Sequence, residues 1–259
     1  MTGKNKKISA VVITFNEEEN IEECLKSLLW TDEIIIVDSF SNDNTVEIAK
    51  RYTSKIYQKV FSGHIEQKNF ALSLTNYEWI ISLDADERIS NGLKNEIIET
   101  INSPSSCNGY FIKRENYYLG KKINHSGWNP DYKLRLFKKE YAKWDGINPH
   151  DSISLEGKKG YLKNPIIHYT YKNLTQHFSQ IDYFSSIGAK EYYSKKKQCR
   201  FYHLLLLPFI TIFKKLIIKG AFLDGSRGIM ISMATVFSEF LKYAKLWELN
   251  ERERRSKKT

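Results

Sequence analysis

Over about the first hundred residues, short apolar runs take turns with segments whose apolar side chains recur at helical spacing. The pattern predicts a buried strand over residues 8–15. Asn16 follows, with Glu19 three residues later, a capping-box spacing for a helix carrying Ile21, Cys24, Leu25, Leu28 and Leu29 on one face. A second apolar run over 33–37 ends in Asp38. Residues 39–44 are turn chemistry, with Asp43 placed to cap a helix through Val46, Ala49 and Arg51. A more polar strand over 55–60, a helix over 65–74 and an apolar strand over 79–83 complete the series. Strands alternating with crossover helices predict an α/β fold built on a mostly parallel, Rossmann-type sheet.

Beyond residue 101 the pattern changes. A loop over 102–106 leads to a strand over 109–114 and an aromatic, basic stretch, Tyr117-Tyr118-Leu119-Gly120-Lys121-Lys122. Residues 132–137 alternate as a strand, with Arg135 set opposite its apolar neighbours. Residues 148–151 read as a loop that carries His150 beside Asp151, and 166–169 as a short strand containing His168. A long helix follows from Leu174, then Lys195-Lys196-Lys197 and an apolar run over 201–213 interrupted by Pro208. Its most apolar part, 204–213, falls short of the roughly 20 apolar residues that cross a bilayer, and Lys214, Lys215 and Lys219 end it. No segment reads as a transmembrane helix. Apolar stretches flanked by Lys and Arg instead fit helices lying in the interface of an anionic membrane, and packing on the rest of the chain or an oligomer seam is the other reading.

The charge sharpens that division. Of the formal +10, residues 1–189 contribute nothing, with 24 basic and 24 acidic side chains, whereas residues 190–259 hold 16 basic and 6 acidic. A neutral body with a basic end predicts an anionic contact for that end, lipid or nucleic acid. Cys24, Cys107 and Cys199 are far apart and lack metal spacing, so they read as reduced thiols of a cytoplasmic protein, and the N-terminus lacks the apolar core of a signal peptide.

The chemistry concentrates where strands end. Asp84, Asp86 and Glu87 fall within four residues at the carboxyl end of a core strand, where like charges tolerate one another only with a cation or water nearby. In open α/β sheets ligands bind outside those ends, and an Asp-x-Asp there suits a divalent ion on hard oxygen ligands. By itself the motif equally describes acids capping the next helix. Asn16, Glu17 and Asp38 end two neighbouring strands, and several such groups on one edge fit a ribose, a base and a metal. Neither a Gly-x-Gly-x-x-Gly nor a P-loop is present.

These residues resemble the family-two glycosyltransferases of GT-A fold, and within them the bacterial lipopolysaccharide-core glucosyltransferases that form a β-1,4 linkage. The resemblance is carried by Val12-Ile13-Thr14-Phe15-Asn16-Glu17-Glu18, by Ile36-Val37-Asp38-Ser39 with Asp43 and Thr45, and by Gln67-Lys68-Asn69-Phe70-Ala71. Leu83-Asp84-Ala85-Asp86-Glu87, Pro130-Asp131-Tyr132-Lys133-Leu134-Arg135-Leu136-Phe137 and Phe240-Leu241-Lys242-Tyr243-Ala244-Lys245 extend it over nearly the whole chain. It implies a GT-A catalytic domain over 1–172, with a nucleotide-sugar half to about 101 and an acceptor half after it, and a helical, basic region over 173–259.

The resemblance also implies roles. Phe15, Asn16, Glu17, Asp38, Gln67, Lys68, Asn69 and Asp84 would contact the nucleotide sugar, Lys68 offsetting pyrophosphate charge. Asp86, with His150, would hold Mg2+ or Mn2+. Trp128 and Arg135 would lie on the acceptor side. The base would be Asp151, standing where the family's usual His-Glu has Glu, with Asp131 as the second candidate. The implied reaction is inverting transfer of a sugar, glucose, from a UDP-sugar to a glycolipid such as the lipopolysaccharide inner core, by an enzyme peripheral on the inner face of the cytoplasmic membrane, with an oligomer left open. A metal Lewis acid on the leaving diphosphate and one carboxylate base are the minimum for a single in-line displacement. Two other readings stand beside it. A nucleotidyltransferase acting on a sugar phosphate would carry a glycine-rich basic loop near the first strand, and residues 14–20 are acidic and lack glycine. A non-catalytic nucleic-acid binder would have no use for Leu204-Leu205-Leu206-Leu207, so no nucleic-acid partner is expected.

Overall fold

The computed structural model describes residues 6–104, 106–147 and 150–256, with the backbone alone for Ile147 and His150. The chain divides into two compact units, one of residues 6–115 and 131–168, the other of 116–130 and 169–256.

The first unit opens with β1 (Ile8–Thr14), α1 (Ile21–Lys26), β2 (Glu33–Asp38), α2 (Thr45–Ala49), β3 (Ile56–Gln58), α3 (His64–Ser73) and β4 (Trp79–Asp84). β5 (Glu87–Ile89), α4 (Asn91–Asn102) and β6 (Cys107–Tyr118) follow. β1 lies parallel between β2 and β4, in a register that sets Thr14 beside Asp38 and Ile13 beside Asp84. The strands are apolar over most of their length because both sheet faces are covered. Successive side chains point to opposite faces, so Val12, Ile36 and Ile81 join a core with α1 and α4, while Val11, Val37 and Ile80 pack with Ala71 and Leu72 of α3. α4 buries Leu93, Ile97 and Ile101 at four-residue spacing, and Ser90 caps it by accepting from the Leu93 amide at 3.2 Å. Full burial of each such side chain contributes about 1.5–3 kcal/mol.

After β7 (Lys121–Lys122), β8 (Tyr132–Lys138) pairs antiparallel with both β4 and β6. β9 (Ala142–Ile147) and β10 (His150–Leu155) form a separate antiparallel pair. β11 (Lys158–Tyr161) runs parallel to β6, and β12 (Ile166–Tyr171) pairs antiparallel with β5. The resulting order is β3-β2-β1-β4-β8-β6-β12-β5, a mixed sheet whose β3-β2-β1-β4 half is parallel, which is a GT-A-like architecture.

Two local expectations change. α1 starts at Ile21 rather than directly after Asn16, with Asn20 at its N-cap. Asn16 takes a left-handed φ of 54° and its side chain accepts from the Asn42 amide, so it is committed to the next loop and cannot cap a helix. His150 and Asp151 begin a strand rather than sitting in a loop, while Asn148 and Pro149 lie outside the described residues.

In the second unit, Lys121 and Lys122 of β7 turn back on Tyr118 and Tyr117. Tyr118, Ile123 and Ile231 form a small core, and the Tyr118 hydroxyl meets His177 Nδ1 at 2.9 Å. The long helices are α5 (Leu174–Ser194), α6 (Phe201–Phe213) and α7 (Ser226–Ser256). Lys245 on α7 donates to the Asp182 carbonyl and to the Ser185 and Ser186 hydroxyls, tying α7 to α5. A Cβ on Gly228 would meet the Ala221 carbonyl oxygen at 1.8 Å, so only glycine allows the start of α7 to close on the turn before it. Pro208 deprives the Leu204 carbonyl of its usual donor without ending α6. Helix continues as a π turn over Lys214–Ile218, and the joined 18 residues Phe201–Ile218 are long and apolar enough to cross a membrane by length and composition. This revises the sequence reading, which stopped the run at 213.

Candidate active site

The carboxyl edge of the parallel strands collects the acids, and later strands bring the cations. Asp84 ends β4 with its side chain about one-third exposed. One oxygen meets Arg135 from β8, the other Lys68 from α3 at 3.2 Å. Arg135 is 4% exposed and also meets Glu87 at 2.7 Å. Glu87, fully buried, takes a second guanidinium from Arg114 at 3.2 Å and accepts from the Asp84 amide. Arg114 in turn donates through Nε to Asp131 at 2.8 Å. Burial works against ionisation of Asp84, but the charges of Arg135 and Lys68 outweigh it and hold the carboxyl well below the usual carboxylate range. The acidic strand end is therefore stabilised by cations of this chain, drawn from 16 to 51 residues away in sequence.

Lys68 joins the two sides of this edge. Besides Asp84 it contacts Asp151 of β10 at 2.8 Å, and its ammonium lies 4.3 Å from the centre of the Trp144 ring. Asn69 next to it donates to the Trp144 carbonyl and accepts from the Trp144 amide, both at 2.9 Å. Both ends of its side chain are thus spent on clamping β9 to α3. Expected against a nucleotide, Asn69 joins α3 to the β9–β10 hairpin in this structure.

The loops after β1 and β2 are tied together by hydrogen bonds. Asp38 is fully buried and accepts from the Ser41 amide at 2.9 Å and from Gln58 Nε2 at 3.3 Å. The Asn16 amide donates to Ser41 Oγ, the Glu17 amide to Thr45 Oγ1, and Glu17 Oε2 accepts from Asn20. Gln67 donates to Ser39 Oγ and to the Lys59 carbonyl, while its own carbonyl oxygen is buried without a hydrogen bond. Phe15 is 56% exposed beside them.

Asp86 is set apart from that ion cluster. Its Oδ2 lies 3.2 Å from Nε2 of His168 on β12, and both side chains remain partly exposed. The pairing has a topological cause, because β12 runs antiparallel to β5 with His168 in register with Glu87. An imidazole nitrogen and a carboxylate oxygen are a suitable half-shell for a divalent ion that takes its other ligands from phosphate and water. Among the described residues no three His, Cys, Asp or Glu side chains gather to hold a metal on protein ligands alone. The His150 side chain, expected to share a metal with Asp86, lies outside the described residues. His168 was visible in sequence only as a histidine in a short strand, with nothing local to link it to an acid 82 residues earlier.

The acceptor-side expectations divide. Arg135, expected on the acceptor side, is buried between Asp84 and Glu87. Asp131 is held by Arg114, with Lys133 at 3.7 Å. Trp128 belongs to the second unit, edge-on to Tyr118 with ring centres 5.7 Å apart.

A parallel sheet ending in carboxylates, with a polar edge and a GT-A-like strand order, defines an α/β group-transfer enzyme. Residues 9–157 match the family model described as Glycosyl transferase family 2, and the chain belongs to that family. It is similar to a glycosyltransferase of Rickettsia typhi, 33% identical over 96% of this chain and 89% of the relative. It is also similar to the lipopolysaccharide core biosynthesis glycosyltransferase LpsC of Rhizobium meliloti, 26% identical over 93% of this chain and 92% of LpsC. Among solved structures, glucosyl-3-phosphoglycerate synthase from Mycobacterium tuberculosis aligns over 52% of this chain and 57% of its own at 19% identity, with a TM-score of 0.38, too loose for residue roles to be carried across. Membership in the family sets aside the non-catalytic nucleic-acid reading and the nucleotidyltransferase.

Proposed function

We propose that this glycosyltransferase moves glucose from UDP-glucose to a glycolipid acceptor, the lipopolysaccharide inner core, with inversion at the anomeric carbon and dependence on Mg2+ or Mn2+. The observation that carries the reading is the Asp86–His168 pair, a partly exposed carboxylate and imidazole just past the end of β4. The acceptor class rests on the similarity to LpsC, which extends over nearly the full length of both chains.

In this reading Asp38, Gln67 and the Asn16–Glu17 turn receive the base and ribose, with the buried Gln67 carbonyl oxygen as an unused acceptor. Asp86 and His168 would hold the metal, which supplies Lewis-acid stabilisation of the departing diphosphate. Lys68, sitting between Asp84 and Asp151, carries the positive charge that a pyrophosphate would attract. Drawing its ammonium toward phosphate loosens its hold on Asp151, which then accepts the proton of the attacking hydroxyl. The acceptor oxygen bonds to the anomeric carbon from the face opposite the leaving group, the bond to UDP oxygen breaks, and the proton ends on the Asp151 carboxylate. Asp131 is the weaker base because two nitrogens of Arg114 already occupy its Oδ2.

Calorimetric titration with UDP, GDP and CDP, with and without Mn2+, tests this. Binding is expected for UDP, strengthened by Mn2+, and the strengthening is expected to vanish in Asp86→Ala and in His168→Ala. Failure of every nucleotide to bind would overturn the donor assignment, and metal-strengthened binding unchanged in both variants would overturn the metal site.

A further inference from the structure

We propose that α6, with the π turn that extends it, is an in-plane anchor that lies in the interface of an anionic lipid bilayer. Three independent features lead there. The first is exposure: none of the apolar stretch Phe201–Ile218 is buried, and Phe201, Phe209 and Ile218 are 76%, 68% and 66% exposed. Leu205, Leu206, Phe209, Ile210 and Phe213 recur every three or four residues, so they form one open stripe along the helix. Water-facing stripes of this size on a soluble chain mark a contact surface.

The second is charge, which selects the occupant. Residues 190–259 carry 16 basic and 6 acidic side chains, and Lys214 and Lys219 are exposed at the end of the stripe. A second copy of this chain would bring the same positive charges against its partner. A bilayer with anionic headgroups satisfies both features, since lysine stems lie along the apolar layer and their ammonium groups reach phosphate.

The third is tethering, which sets the orientation. At the start of α6 the Cys199 amide donates to Asn250 Oδ1 at 3.1 Å, and the His203 ring stacks on Tyr243 with centres 4.3 Å apart and planes 7° off parallel. At its far end the Ser126 amide donates to the Lys219 carbonyl at 3.0 Å, and Lys215 Nζ donates to the Ser126 carbonyl at 3.2 Å. Both ends are held within one folded unit, and α6 lies along α7 in the opposite direction. Crossing a bilayer would carry one end roughly 27 Å from the other through lipid and break one set of these bonds. Lying flat breaks neither.

The test is co-sedimentation of the full chain with vesicles of phosphatidylcholine alone and of phosphatidylcholine mixed with phosphatidylglycerol. The wild type is expected to bind the mixed vesicles, more weakly at high salt, and to bind neutral vesicles poorly. Replacing three exposed side chains together, Leu206→Ser, Phe209→Ser and Phe213→Ser, is expected to lower partitioning at least about tenfold on both. Lys214→Gln with Lys219→Gln is expected to lower it only on anionic vesicles, by about fivefold per lysine. UDP titration of the same variants shows that they are folded, and it separates failure of this proposal from failure of the donor assignment. The anchor is overturned if the wild type does not bind mixed vesicles, or if the triple-serine variant binds them equally well. It is also overturned if wild-type protein in membranes resists carbonate extraction as a spanning helix does, or if the triple-serine variant turns a dimer into monomers without changing vesicle binding.

Discussion

At the scale of single residues, the site is governed by which carboxylates already have a cation. Glu87 is wholly buried between Arg114 and Arg135, and Asp84 is shared between Arg135 and Lys68, so removing Arg135 takes one of two cations from each acid at once. Breaking a buried pair from one side typically costs about 3–5 kcal/mol. Arg135→Met is therefore expected to lower the unfolding free energy by that order, read as a lower urea midpoint at an unchanged slope. Equal midpoints for Arg135→Met and wild type would show the cluster to be energetically idle. Asp151 and Asp131 separate by the same reasoning. Asp151→Asn is expected to reduce turnover by about 10²–10⁴-fold with UDP affinity retained. Asp131→Asn, which removes a partner of Arg114, is expected to act chiefly on stability. Steady-state rates set beside unfolding midpoints for the two variants decide it, and the reverse assignment would follow if only Asp131→Asn abolished turnover.

At the scale of elements, Glu33 shows how one side chain at the start of β2 binds several segments. It accepts from Ser9 Oγ at 2.6 Å on β1 and from the Asn76 amide at 3.0 Å, and it pairs with Lys55 ahead of β3. Burial pushes its carboxyl up, but the hydrogen bonds from Lys55, Ser9 and Asn76 prevail and bring it down to about 2. Because the folded value lies below the ordinary 4.5, its contribution is complete above pH 4.5 and fades as pH falls toward 2. Glu33→Gln is expected to be less stable at neutral pH by about 1–3 kcal/mol and to lose less stability on acidification across that window. Thermal unfolding of both proteins between pH 5 and 2 measures the difference; parallel curves would refute it. Elements of this sort were also the legible ones. Largely apolar runs at 8–15, 33–37 and 79–83 announce strands covered on both faces, and Asp86 is visible because Asp-x-Asp is a local pattern at a strand end. His168, Arg114 and the Asn69–Trp144 clamp were not legible as partners. Each depends on a contact set by long-range topology, and no local spacing encodes it. Asn16 misled for a related reason: its sequence neighbours suggest a helix cap, whereas its hydrogen bonds go to the loop after β2.

At the scale of the molecule, the charge and the chemistry are segregated along the chain. The acids and cations of the site come from residues before 169, whose basic and acidic counts are nearly balanced, while the surplus of positive charge lies after 189. Donor chemistry and surface attachment should then respond differently to salt, because exposed charges are screened within about 8 Å at physiological ionic strength and buried pairs such as Arg135–Glu87 are not. If the acceptor is a glycolipid, the stripe on α6 would act by concentrating enzyme where that acceptor resides, without altering the reacting groups. The triple-serine variant is accordingly expected to show a roughly tenfold higher KM for acceptor embedded in anionic vesicles, with kcat unchanged. On a water-soluble acceptor fragment, kcat and KM should both match wild type. Raising salt should erase most of the difference between the two proteins on vesicles while leaving the soluble reaction steady. A loss of kcat on the soluble fragment would mean that the stripe supports the fold of the active enzyme, and the separation of attachment from chemistry would have to be given up.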